Sequence, residues 1–133
     1  MPYLHLKLSH PAEPAALQAI AGRLTDLTES ILRKQRHLTA LTIETLPAGR
    51  WFIGGEGLAA ESPPSFELDI KITAGTNSAD DKAAYIAAVF GAMADFYGRL
   101  DPASYVVIHD VDGQAWRYGG RAQAARRPAT ARL

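Results

Sequence analysis

The chain has no cysteine among its 133 residues. Disulfide scaffolds, thiolate metal sites and cysteine nucleophiles are therefore excluded. No apolar run approaches the ~20 residues that span a bilayer. Nor is there an N-terminal secretory pattern, so a cytoplasmic location and no membrane partner are expected. The chain has no glycine-rich phosphate loop, no Ser-His-Asp pattern and no cofactor motif, so no cofactor is expected. His5, His10, His37 and His109 lack metal-ligand spacing, and no metal is expected. Acids are missing from the C-terminal stretch: all 14 precede Gly113. Residues 1–116 hold 9 Lys and Arg against those 14 acids, a balance of −5, while residues 117–133 hold five arginines, a balance of +5. A basic tail can serve nucleic acid, but aromatics are lacking there beyond Tyr118. The tail is read instead as docking on an acidic neighbouring subunit or as mobile, with no nucleic-acid partner.

What is present is a repeated pattern. Leu4, Leu6 and Leu8 alternate with polar residues as in a strand with one apolar face. Pro14 suits the first turn of a helix, and Leu17, Ile20, Leu24, Leu27 and Ile31 form a helical stripe. Arg33, Lys34 and Arg36 are expected in its last turn, with Glu29 and Arg33 paired on its outer side. Residues 39–46 read as a strand, followed by a short extended piece at Trp51 and by Gly54-Gly55. The pattern restarts with Phe66, Leu68, Ile70 and Ile72. Ser78 and Asp81 look like a capping box. Ile86, Val89, Phe90, Met93, Phe96, Tyr97 and Leu100 then form a second stripe, residues 104–111 a strand, and Trp116 leads to Gly119-Gly120.

Trp51-x-x-Gly54-Gly55 recurs as Trp116-x-x-Gly119-Gly120 at an offset of 65, and the first strands match at 64. The chain therefore reads as α+β: one domain over 1–133, with unit one at 2–60, unit two at 64–120 and a basic tail at 121–133. Each unit is a β-α-β crossover. Together they predict a four-stranded sheet with two helices on one face and the other face covered by further copies. A ferredoxin-like domain has the same element order and is the rival.

Pro2 opens the first strand. If Met1 is removed, Pro2 carries a free secondary amine, which apolar surroundings would keep neutral near neutral pH. Such an amine can act as a general base or as a nucleophile.

This order, with Pro as residue 2, resembles the tautomerase superfamily over residues 2–120. Its members include 4-oxalocrotonate tautomerase, cis-3-chloroacrylic acid dehalogenase and macrophage migration inhibitory factor. The resemblance implies fused β-α-β units, a homotrimer and a catalytic amino-terminal proline. It also implies keto–enol isomerisation of a small carboxylate substrate. Haloacrylate dehalogenation or hydration and a non-catalytic binding module are the alternatives. Several family residues are missing. The arginines of 4-oxalocrotonate tautomerase match positions near Ala12 and Ala40. The dehalogenase arginines fall in Thr73–Asn77, the helix-1 histidine matches Thr28, and the water-activating glutamate matches Arg117.

The candidate substrate-binding residues are Arg117, Tyr105, Trp51 and Arg50. Arg117 either forks onto a substrate carboxylate or is a surface arginine. Tyr105, which matches a site tyrosine of the migration inhibitory factor group, either bonds an enol oxygen or packs in a strand. Trp51 and Trp116 wall a pocket or anchor the core. Arg50 is more often a solvated turn residue. Lys34 and Lys71 are read as solvated helix-end and strand-face lysines.

Overall fold

The computed structural model describes residues 2–122, except for the side chains of Arg117, Arg121 and Ala122. Eight strands and two α-helices occur in it: β1 (Tyr3–Leu8), α1 (Pro14–Ser30), β2 (Ala40–Thr45), β3 (Phe52–Ile53), β4 (Glu56–Gly57), β5 (Phe66–Thr73), α2 (Ala79–Tyr97), β6 (Tyr105–Val111), β7 (Arg117–Tyr118) and β8 (Arg121–Ala122). The tail from residue 123 onward lies outside the described residues, so the expectation for it stays there.

The main sheet has the order β2-β1-β5-β6. β1 and β2 run parallel, β5 and β6 run parallel, and β1 meets β5 antiparallel. Each parallel pair is adjacent and unsplit, whereas a ferredoxin-like domain splits its β-α-β unit. The fused-pair expectation holds.

Alternation along the strands sets the faces. Leu4, Leu6, Leu8, Phe66, Leu68, Ile70 and Ile72 are fully buried against Ile20, Leu24, Tyr85, Val89 and Met93 of the helices. Both helices therefore cover one face. A one-residue slip of β1 would trade its three leucines for Tyr3, His5 and Lys7. That would cost roughly 5–9 kcal/mol of burial, so the register is strongly specified.

Two helical expectations need correction. α1 stops at Ser30, with Ile31 as its C-cap. Arg33, Lys34 and Arg36 lie beyond it, because Arg33 takes a left-handed φ of 58° and turns the chain away. Arg33 pairs with Asp81 at 2.6 Å, and Glu29 pairs with Arg36 at 3.3 Å, so the expected Glu29–Arg33 pair does not form. In α2 the capping box of Ser78 and Asp81 is present. Ile86, however, is partly exposed, and its neighbour Tyr85 is buried instead. Tyr85 lies four residues before Val89, on the side that meets α1. Its hydroxyl lies 2.8 Å from Thr28 Oγ1, which itself donates to the Leu24 carbonyl at 2.8 Å.

The repeated Gly-Gly pairs form two hairpins. β3 pairs with β4 and β7 with β8, in each case across two glycines. Gly54 and Gly55 have φ of 60° and 81°, and Gly119 and Gly120 have 58° and 80°. A two-residue turn with positive φ at both positions is the type I′ hairpin, which glycine adopts without strain.

Candidate functional site

Pro2 is buried at the entry to β1. Its carbonyl accepts the Ala40 N–H at 3.4 Å, just before the β1–β2 register begins with Tyr3 opposite Ala40. On the other side of β1, Lys71 of β5 stands opposite Tyr3. Lys71 Nζ lies 5.7 Å from the centre of the Tyr3 ring, and the Tyr3 hydroxyl bonds Thr42 Oγ1 at 3.1 Å. The β7–β8 hairpin then brings Trp116 and Tyr118 over this corner.

The result is a cavity of about 390 Å³ lined by Pro2, Tyr3, Leu38, Ala40, Lys71, Trp116 and Tyr118. Lys71 is the one charged side chain among these lining residues. No carboxylate among the described residues forms an ion pair with it. Trp116 Nε1 is buried and has no hydrogen-bond partner. One cation and aromatic walls suit a small flat carboxylate.

Arg50, Trp51 and Tyr105 also come together, but elsewhere. With Lys7, Phe52 and Glu67 they line a cavity of about 330 Å³ at the opposite end of the sheet. Tyr3 and Lys7 lie four steps apart along β1, roughly 13 Å of strand. Within one chain these three residues therefore do not meet Pro2. The two cavities are related by the repeat: Lys7 corresponds to Lys71, Trp51 to Trp116 and Tyr105 to Ala40. Phe66, fully buried, takes the place of Pro2. The second unit thus has no amine of its own. The Arg117 side chain lies outside the described residues, although its backbone opens β7 between two cavity residues.

A third cavity, of about 540 Å³, is the largest of the three and includes His10, Pro11, Trp51 and Tyr97 in its lining. No charged residue lines it, and both ring nitrogens of His10 are engaged. Nε2 donates to the Ala59 carbonyl at 3.1 Å, and Nδ1 bonds Ser9 Oγ at 2.7 Å. The Tyr97 hydroxyl donates to the His10 carbonyl at 3.0 Å, and burial raises its pKa. Size does not outweigh chemistry here, and the Pro2 cavity is the better candidate. Lys34 is half-buried against Thr76 at 2.8 Å, away from all three cavities, and burial lowers its pKa. Among the described residues no group of three metal-binding side chains forms, and no helix is long and apolar enough to cross a membrane.

From sequence Lys71 reads as a solvated strand-face lysine, and the structure instead sets it in the Pro2 cavity. Its signal was positional: at the 64 offset, position 71 faces the start of β1 once the two units lie antiparallel.

Residues 68–126 match the family model described as Tautomerase enzyme. No curated protein matches the chain. Among solved structures, Pt0534 inactivated by 2-oxo-3-pentynoate is 15% identical with a TM-score of 0.83, covering 94% of this chain and 99% of that one. A fused 4-OT wild-type symmetric trimer is 20% identical with a TM-score of 0.81, covering 94% and 99%. N1, a member of the cis-3-chloroacrylic acid dehalogenase family, is 18% identical with a TM-score of 0.76, covering 98% and 95%. At these identities the structural likeness carries the fold, and the family match covers the second unit.

Proposed function

We propose, taking membership of the tautomerase superfamily as the premise, that this chain is a cofactor-independent keto–enol tautomerase of small 2-oxo acids with Pro2 as general base. The observation that carries the reading is the Pro2 cavity, in which Lys71 is the one cation among the described lining residues. Removal of Met1 frees the Pro2 amine. In the enol-to-keto direction, the Pro2 nitrogen accepts the enol hydroxyl proton, and the resulting ammonium delivers a proton to carbon 3. Lys71 holds the substrate carboxylate so that carbon 3 lies near Pro2. Arg117 is the second cation of the proposal. A positive charge near the amine also favours its neutral, basic form.

The proposal includes a homotrimer. A fused 4-OT relative is a symmetric trimer, and the helix-free sheet face of this chain leaves Tyr105 63% exposed and the nearby Phe52 60% exposed. Arg50, Trp51 and Tyr105 act in this assembly from a neighbouring copy. The dehalogenase alternative needs a carboxylate to activate water, and none of the described residues lining the Pro2 cavity supplies one.

The test is ketonisation of phenylpyruvate enol by protein whose loss of Met1 is confirmed by intact mass. Wild type accelerates the reaction, Pro2→Ala removes most of kcat, and Arg117→Ala raises KM. No rate above background in Met1-free protein would sink the enzyme reading in favour of a binding module on the same fold.

A further inference from the structure

Two buried side-chain polar atoms among the described residues have no hydrogen-bond partner: Thr73 Oγ1 and Trp116 Nε1. They are not equivalent. A hydroxyl can rotate and can both donate and accept, whereas an indole N–H only donates and is fixed to its ring. An unpaired buried donor destabilises a fold and calls for an explanation. Trp51, the repeat counterpart of Trp116, has no such buried orphan. The orphan therefore belongs to the one unit whose tryptophan lines the Pro2 cavity.

Of the other polar groups in that cavity, Tyr118 already makes an interaction of its own. The Tyr3 hydroxyl is bonded to Thr42. Lys71 suits the carboxylate of a 2-oxo acid, and Pro2 handles the proton. What such a substrate still needs is a neutral donor for its 2-oxygen, where negative charge develops as the enol proton leaves. We infer that the Trp116 indole N–H is that donor, and that it selects carboxylates bearing an oxygen at carbon 2. This rests on the tautomerase reading above. Trp116 as a whole is only partly buried. Its N–H is buried, so the ring must tilt towards the cavity it lines for the N–H to reach the ligand.

The chain has two tryptophans, so ¹⁵N-tryptophan labelling gives two indole signals, assigned with Trp51→Phe. The probes are phenylpyruvate and 3-phenylpropanoate, which has the carboxylate but no 2-oxygen. Phenylpyruvate is expected to move the Trp116 indole proton downfield, and 3-phenylpropanoate to leave it in place. Trp116→Phe, which keeps a ring but loses the donor, is expected to lower kcat/KM for phenylpyruvate enol roughly 10- to 100-fold. It should also abolish the preference for phenylpyruvate over 3-phenylpropanoate in binding. Turnover with a Trp116 signal that is static, or that moves equally with both ligands, overturns the inference and leaves the role of Pro2 standing. Absence of both binding and turnover overturns both. The titration uses wild type, so a misfolded variant cannot obscure the outcome.

Discussion

Replacing Lys71 by methionine isolates the cation of the Pro2 cavity. Lys71 is exposed, and its one described contact is the Tyr3 ring at 5.7 Å. An exposed contact of that kind contributes about 0.5–1 kcal/mol. Methionine keeps most of the aliphatic stem, so the fold should survive with Tm lowered by no more than roughly 5 °C. The functional loss is larger. A hydrogen bond from an ammonium to a carboxylate contributes about 1.5–3 kcal/mol, which corresponds to a rise in KM of roughly 10- to 150-fold. Lys71 holds the carboxylate in ground state and transition state alike, so kcat should stay within a few-fold. Added salt should raise the wild-type KM more steeply than that of the variant, which keeps Arg117. Initial rates of phenylpyruvate enol ketonisation at two salt concentrations, with a melting curve for each protein, provide the test. A KM within threefold of wild type in a folded Lys71→Met would refute the assignment of the carboxylate to Lys71.

The buried Thr28–Tyr85 contact predicts an asymmetric pair of variants. Thr28→Val orphans the Tyr85 hydroxyl and should cost about 1–3 kcal/mol, Tyr85→Phe about 1 kcal/mol, and the double variant less than their sum in urea unfolding; additive losses would mean that the hydrogen bond contributes nothing. Burial pushes the Tyr85 pKa up from its ordinary 10 to about 12. The unfolded chain therefore loses that proton first, and stability is full below pH 10 and falls by roughly 2–3 kcal/mol as the pH rises through 12. Tyr85→Phe should flatten most of this slope, leaving a remainder from Tyr97, whose pKa burial also raises; an unchanged slope would contradict the origin given for it. Light scattering should report a mass near three times the 14.3 kDa of one chain, and a strict monomer would remove the proposed contribution of Tyr105 from a neighbouring copy.

Much of the fold was legible because the repeat carries its own punctuation. The alternating leucines of β1 and their counterparts in β5 specify which face is buried, and the 64–65 offset relates the two units. The Gly-Gly pairs were visible as turns, but their hairpins were not, since strands of two residues carry too little periodicity to register. The end of α1 was misread because its basic run looks like a helix terminus. Arg33 instead takes a left-handed conformation and reaches Asp81 of the other unit, a contact no local pattern encodes. The site was only partly legible. Pro2 announced itself by chemistry and position. Lys71 did not, because its place beside Pro2 depends on β5 lying antiparallel to β1. Tyr105, Trp51 and Arg50 were grouped with Pro2, yet the same topology carries them to the far end of the sheet.

The central claim is that the Pro2 nitrogen is the base, and titrating that nitrogen tests it most directly. Met1-free protein labelled with ¹⁵N-proline gives one amine signal among peptide-bonded prolines, and its pH dependence reports the Pro2 pKa. The account predicts a pKa below the ordinary range for a proline amine. It also predicts that the acid limb of kcat/KM for phenylpyruvate enol follows the same value, and that both are lost in Pro2→Ala. A pH–rate profile that departs from the Pro2 titration, or that persists in Pro2→Ala, would contradict it.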